Sequence, residues 1–139
     1  YFDEMTAAVK AYGELPNLKV LDFISDMGAA YKAADLVISR AGASSISEFC
    51  LIGQPVILVP SPNVAEDHQT KNTMALVDKD AAVYVKDADA PATLIPTALD
   101  IVEKADKLAS LHENILKMAL KNSAEVIADE VVKLAWNEK

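Results

Sequence analysis

The chain has 139 residues, of which 52% are hydrophobic and 24% charged, values typical of a globular protein with a real core. The net charge of −8, without a run of Lys or Arg, argues against nucleic acid as a partner. No apolar run approaches the roughly 20 residues of a membrane span. A single cysteine excludes an intrachain disulfide, and the two histidines lie far apart without metal-ligand spacing.

The first part of the chain alternates between helix and strand patterns. Residues 2–12 carry apolar side chains at helical spacing and predict a helix. Residues 18–23 form a short apolar run that predicts a strand. Asp26 is placed to cap a short helix over residues 26–33, and residues 35–39 predict a second strand.

The alternation continues through the middle of the chain. Residues 44–52 predict a helix that Gly53 ends. Residues 56–59 are apolar at every position, as expected for a parallel strand covered on both faces. Asp67 can cap the next helix, which runs to about residue 77, and residues 82–85 predict a fourth strand.

From Pro91 onward the pattern is helical to the end, with breaks near Ala105 and Ser123. Strands that alternate with helices predict an α/β fold with a parallel sheet. Four strands make a small sheet and the chain opens with a helix, so we expect the first strand and its loop to lie upstream of Tyr1. Because neither a repeat nor a linker interrupts the pattern, residues 1–139 are predicted to form a single domain.

Three loops follow predicted strands and therefore lie at the sheet edge where open α/β folds bind ligands. In the loop over residues 39–48, Arg40 precedes Gly42 and a Ser-rich helix start. Two interpretations are open. The helix N-terminus can hold a diphosphate, or Ser45 and Glu48 can form a capping box; the spacing alone favours the box.

The other two loops also admit two interpretations each. The loop over residues 60–69 is long for its kind and places His68 and Gln69 where they can donate to sugar hydroxyls or form a solvated first turn. Phe23 and Met27 can sandwich a flat base or pack under their own loop. The glycine-rich motifs of dehydrogenases and P-loop kinases and the Gly-x-Ser-x-Gly motif of α/β-hydrolases are absent, which disfavours those classes.

Taken together in this order and spacing, the three loops resemble the C-terminal domain of the MurG-type N-acetylglucosaminyltransferases of bacterial cell-wall synthesis. The resemblance runs from about residue 18 to residue 85, with a looser helical match to the end. The motifs that carry it are Phe23-Ile24-x-Asp26-Met27, residues 34–43 with Ser47-Glu48, Gly53-x-Pro55 through Pro60, and Asp67-x-Gln69-x-x-Asn72.

The resemblance implies the Rossmann-like C-terminal half of a GT-B glycosyltransferase, whose active site lies between two such domains. The intact enzyme would transfer N-acetylglucosamine from UDP to lipid I, which yields lipid II for peptidoglycan and so serves cell shape and division. It would lie in the bacterial cytoplasm, peripheral to the inner face of the plasma membrane. Membrane and lipid I would be contacted through the other half, and no cofactor is expected.

The resemblance also implies which residues contact the donor, UDP-N-acetylglucosamine. They are Phe23, Ile24, Met27, Arg40, Gly42, Ala43, Ser44, Ser45, Glu48, His68 and Gln69. The first three would line the uracil pocket, and the helix start with Arg40 nearby would hold the diphosphate. Glu48 would accept hydrogen bonds from the ribose, and the last two would bind the sugar. Many relatives have a Gln–Gln pair where this chain has His68-Gln69.

No catalytic residue and no metal ligand is expected within this chain, because the acceptor-binding half and one glycine-rich loop are not in it. We therefore expect weak donor binding and no transfer by the chain alone. Two alternatives stay open: the donor domain of another UDP-sugar GT-B transferase, and a non-catalytic module that binds nucleotide sugars. The segment over residues 23–27 favours the cell-wall enzyme.

Overall fold

The computed structural model describes residues 2–13, 15–63 and 67–137. The chain divides into two compact units, Tyr1–Ala33 and Ala34–Lys139. The first unit contains the helices α1 (Phe2–Lys10) and α2 (Met27–Ala33). The amide of Ala29 donates to Asp26 Oδ1 over 2.8 Å, so the predicted cap of α2 is confirmed.

The predicted strand over residues 18–23 is wrong. The amide of Leu18 donates to the carbonyl of Leu15 over 3.0 Å in a turn, and the sheet of the described residues contains no strand from this segment. Leu21 is 60% exposed. A strand needs a hydrogen-bonded neighbour, and the apolar composition of the run supplies none.

The second unit is built around a parallel sheet of three strands in the order β1-β2-β3. The strands are β1 (Val37–Ser39), β2 (Val56–Leu58) and β3 (Val83–Tyr84). In register, Val37 lies beside Val56 and Ile57 beside Val83. The helices are α3 (Ala43–Ile52), α4 (His68–Val77), α5 (Ala90–Val102), α6 (Ala105–Leu116) and α7 (Ser123–Asn137). The predicted α/β fold with flanking helices is confirmed, as are the breaks before α6 and α7.

The core is centred on the middle strand. Val56, Ile57 and Leu58 of β2 are completely buried, as the apolar run predicts. Ile57 packs in one cluster with Ile101 of α5 and Leu111 of α6, so these helices cover the sheet. Since β2 pairs in parallel with β1 on one side and β3 on the other, the carboxyl ends of all three strands lie at the same edge of the sheet.

Helix α3 ends at Gly53, as predicted, in the left-handed conformation with φ 71°. The amides of Gly53 and Gln54 both reach back to the carbonyl of Phe49, which satisfies the last turn of the helix. A Cβ on Gly53 would lie 2.6 Å from the His112 ring and 2.8 Å from Leu116. His112 Nδ1 lies 2.6 Å from the Gly53 carbonyl oxygen, so α6 is joined to the end of α3. Only glycine fits this position.

Candidate functional site at the carboxyl edge of the sheet

The carboxyl ends of the three strands each lead into a polar residue. Arg40 follows β1, Ser61 lies shortly after β2, and Asp87 lies shortly after β3. Parallel strands end at the same edge of a sheet, so these residues converge there. Helix α3 begins at this edge and α4 begins after the loop that follows β2.

Arg40 joins the ends of all three strands through one guanidinium nitrogen. Its Nη1 donates to the carbonyls of Val59 over 3.1 Å and Pro60 over 3.4 Å. The same nitrogen forms an ion pair with the Asp87 carboxylate. Asp87 is absent from the site predicted from the sequence, although the rule that ligands bind beyond strand ends applies to it as it does to Arg40.

Gln69 joins the loops after β1 and β2. Its Oε1 accepts hydrogen bonds from the amides of Ala41 over 3.2 Å and Ser61 over 2.9 Å. Its carbonyl accepts from the hydroxyl of the fully buried Thr73 over 2.9 Å. Because two N–H donors face one end of the carboxamide, that end is the oxygen, and the Nε2 donors lie at the other end.

The start of α3 has no side-chain cap. Gly42 is the N-cap residue, with φ −66° and ψ 141°, and it makes no side-chain capping bond. Ser45 lies inside the helix, so the capping-box interpretation is wrong: the N-cap residue is Gly42, three residues before Ser45. The first N–H groups of α3 carry a partial positive charge and receive no cap from this residue, a setting that suits an anion.

The remaining predicted residues of the second unit lie on the two helices that begin near this edge. Ala43, Ser44 and Ser45 form the first turn of α3, and Glu48 is exposed one turn later. His68 is the exposed first residue of α4.

Asp67 occupies the N-cap position of α4, as predicted, but its φ of 55° is left-handed and its side chain makes no capping bond. A side-chain cap requires extended backbone at that residue. The predicted helix start is thus confirmed, whereas its cap is wrong.

Phe23, Ile24 and Met27 belong to the first unit. Their exposed fractions are 79%, 41% and 41%, so none of them is packed away under its own loop. The interpretation of Phe23 as a packing residue is therefore wrong. These apolar side chains remain free to contact a flat ligand.

Two pockets lie on either side of Asp87. One of about 270 Å³ is lined by Arg40, Val59 and Leu94 among others, and one of about 310 Å³ is lined by Ser61, Tyr84 and Lys86 among others. Within the described residues, no group of three or more potential metal ligands occurs. No helix among them is long and apolar enough to cross a bilayer.

A parallel sheet with crossover helices, whose strand ends meet an uncapped helix start, defines a Rossmann-like domain that binds ligands at its carboxyl edge. The family model of the glycosyltransferase family 28 C-terminal domain matches residues 1–131. The chain belongs to this family, as the resemblance in the sequence predicts.

Individual relatives agree with this assignment. The chain is 67% identical over 135 residues to the UDP-N-acetylglucosamine--N-acetylmuramyl-(pentapeptide) pyrophosphoryl-undecaprenol N-acetylglucosamine transferase of Bacteroides fragilis, covering 97% of the chain and 36% of that protein. It is 53% identical over 134 residues to the enzyme of the same name from Porphyromonas gingivalis, covering 95% and 35%. The chain thus spans little more than a third of these relatives.

The crystal structure of Acinetobacter baumannii MurG is similar in fold. It superposes with a TM-score of 0.82 at 30% sequence identity, over 94% of this chain and 40% of that one. This likeness agrees with the predicted Rossmann-like class.

Proposed function

We propose that this chain is the donor-binding domain, over residues 1–139, of an enzyme that transfers N-acetylglucosamine from UDP to lipid I and so produces lipid II. The observation that carries the proposal is the 67% identity with a transferase of that name, over 97% of this chain. The intact enzyme would act in the bacterial cytoplasm at the inner face of the plasma membrane. It would contact the membrane and lipid I through residues outside this chain.

The diphosphate of the donor would bind at the start of α3. The uncapped N-terminus at Gly42 offers N–H groups and a partial positive charge that suit an anion. Ser45 supports this role, because its Oγ would lie 3.8 Å from a Cβ built on Gly42 and therefore faces the same end of the helix. Local donors of this kind are needed because the chain as a whole carries a net charge of −8.

The ribose and the sugar would be bound by the two helices. Glu48 lies one turn after the helix start on an exposed face, where a carboxylate can accept from two neighbouring hydroxyls. Gln69 would donate from Nε2, since its Oε1 is occupied by two backbone amides. His68 would contribute a ring nitrogen from the first turn of α4.

Phe23, Ile24 and Met27 would contact the uracil. Their exposure supports this role, because a flat base gains most from apolar side chains that are not already packed.

The chemistry assigned to this chain is stabilisation of the leaving group. A hydroxyl oxygen of lipid I attacks the anomeric carbon of the sugar, the bond from that carbon to the UDP oxygen breaks, and the hydroxyl proton passes to a base. Negative charge grows on the departing diphosphate, where fixed N–H groups of α3 are most effective. The base and the lipid I contacts would lie outside this chain.

The proposal is tested by titrating the full chain with UDP-N-acetylglucosamine, UDP-glucose and UDP while amide shifts are followed by NMR. We expect shifts in residues 23–27, 42–48 and 68–69, larger for the N-acetylated sugar. Glu48→Ala should weaken binding, whereas Glu113→Ala, which removes an exposed carboxylate from α6, should not.

Two results would contradict the proposal. Tighter binding of UDP-glucose than of UDP-N-acetylglucosamine would favour another UDP-sugar transferase. Unmoved amides with all three ligands would remove the assignment of donor binding to this chain.

A further inference from the structure

We propose that Asp87 is a positioning residue for the donor site, which acts through Arg40 on the backbone that leads into α3. This inference rests on the function proposed above. It concerns the strand-end clasp, which we define as the Asp87 carboxylate, the Arg40 guanidinium, and the carbonyls of Val59 and Pro60. In this clasp Arg40 serves as a structural tie and not as a ligand to the diphosphate.

The clasp centres on one nitrogen atom of Arg40. A single nitrogen, Arg40 Nη1, meets the Asp87 carboxylate and the carbonyls of Val59 and Pro60. That nitrogen has only two protons for three acceptors. The charged carboxylate is the strongest of the three, so Asp87 decides where the guanidinium rests. The carbonyls hold it against the end of β2.

The clasp is joined to the start of α3 by the backbone of residues 40–42. Arg40 is followed by Ala41, which is completely buried and whose amide is held by Gln69. Gly42 comes next as the N-cap of α3. The side chain of Arg40 and the amide of Ala41 thus tie consecutive residues to the loop after β2. The direction of the first N–H groups of α3 depends on both ties.

The ion pair between Arg40 and Asp87 contributes little to the stability of the fold. The side chains of Arg40 and Asp87 are 57% and 35% exposed, and such pairs contribute little to stability because water screens them. Breaking the pair should therefore leave the fold intact. Breaking the pair should instead displace the groups that bind the donor, and a small displacement is enough to weaken binding.

A simple electrostatic role for Asp87 makes the opposite prediction. If Asp87 only neutralised Arg40, its removal would leave a positive charge beside the diphosphate and strengthen binding. If Asp87 positions Arg40, its removal weakens binding although the net charge becomes less negative. The sign of the change in donor affinity separates the two.

The experiment compares Asp87→Asn with Asp89→Asn in the full chain. The control makes the same charge change two residues away, at an exposed residue whose side chain caps no helix. We expect Asp87→Asn to bind UDP-N-acetylglucosamine roughly tenfold more weakly, Asp89→Asn to bind like the unsubstituted chain, and Asp87→Glu to restore most of the affinity. Both Asn variants should keep the unfolding midpoint.

A double substitution tests whether Asp87 acts through Arg40. Arg40→Ala combined with Asp87→Asn should lose no more affinity than either change alone, because both break one clasp. Without ligand, Asp87→Asn should shift the amide signals of Ala41 and Ser61, whereas Asp89→Asn should leave them in place.

Equal or tighter donor binding by Asp87→Asn would overturn the inference and leave the proposed function standing. So would an equal loss in Asp89→Asn, or fully additive losses in the double variant. If the unsubstituted chain binds none of the UDP ligands, the proposed function fails and the inference fails with it.

Discussion

The two ends of helix α3 are built in opposite ways. At its C-terminus, Gly53 closes the last turn and touches the side chains of α6, with His112 Nδ1 2.6 Å from its carbonyl. At its N-terminus, Gly42 is the N-cap residue and provides no side-chain cap. One end is closed by packing, and the other receives no cap from its N-cap residue.

We therefore expect the C-terminal end of α3 to contribute mainly to stability and its N-terminal end mainly to donor binding. A closed helix end gains from caps and contacts, whereas an end that binds anions has to keep its donors available. The buried residues Phe49 and Cys50 lie toward the closed end, and the exposed Ser44 lies at the open end. Substitutions at the closed end should therefore change stability, and those at the open end should change donor binding.

The largest effect is expected at Gly53. Gly53→Ala forces a side chain into a left-handed conformation and against His112, so we expect a loss of about 3 kcal/mol in the free energy of unfolding. Chemical denaturation measures it. In a His112→Ala background the same substitution should cost less, because part of the overlap is gone. An equal cost in both backgrounds would show that the backbone conformation alone is responsible.

The next effect concerns Gln69, which ties the open end to the neighbouring loop. Gln69→Ala leaves the amides of Ala41 and Ser61 without their acceptor, so we expect a loss of about 2 kcal/mol in stability and faster amide exchange at both residues. Gln69→Glu keeps an acceptor oxygen and should keep the stability, but it lacks the Nε2 donors and should bind the donor sugar less tightly. Donor binding by Gln69→Glu equal to that of the unsubstituted chain would remove Gln69 from the sugar contacts.

A cap added at the N-terminus of α3 should stabilise the fold, whereas most substitutions destabilise it. Gly42→Asp places a carboxylate where it can accept from the first turn of α3, so we expect a gain of about 0.5 kcal/mol in stability together with weaker binding of UDP. Gly42→Asn provides a cap without the charge and should lose less affinity. Denaturant curves and NMR titrations measure the two quantities. Unchanged UDP binding by both variants would place the diphosphate elsewhere.

The smallest effect concerns the reactivity of Cys50 on the buried face of α3. Burial raises the pKa of the Cys50 thiol above its ordinary value of 9.0, so the fraction of reactive thiolate at pH 8 is lower in the folded chain than in the unfolded one. Alkylation by iodoacetamide should therefore be much slower in buffer than in denaturant, and the native rate should still be rising with pH at 9.0, where that of an ordinary thiol begins to level off. Equal rates in buffer and denaturant would show that this face opens readily.

Local signals in the sequence predicted much of the fold. The all-apolar run became the buried β2, Gly53 ended α3, and Asp26 capped α2. Each of these depends on residues close together in the chain. The prediction of a strand over residues 18–23 is wrong because a strand requires hydrogen bonds to a neighbouring strand, and an apolar run does not show whether such a neighbour exists.

The candidate site was harder to predict in its detail. Residues 45–48 fit a capping box by spacing, yet α3 begins earlier because the chain turns at Gly42. The contact of Arg40 with Asp87 spans 47 positions, and that of Gln69 with Ala41 spans 28. Spacing carries no information on such pairs, and only the convergence of strand ends brings them together. The donor contacts themselves stay predictions.

The bridging oxygen of Gln69 has a thermodynamic consequence for recognition. It accepts hydrogen bonds from the backbone after β1 and from the backbone after β2, so the motions of the two loops are coupled. When a nucleotide diphosphate restrains the first loop, the second loop loses conformational entropy at the same time. A sugar that binds to the second loop then pays a smaller entropic cost. The binding free energy of a nucleotide sugar would then exceed the sum of the values for the nucleotide and the sugar alone. The difference in affinity between one sugar and another would be larger once the nucleotide is bound.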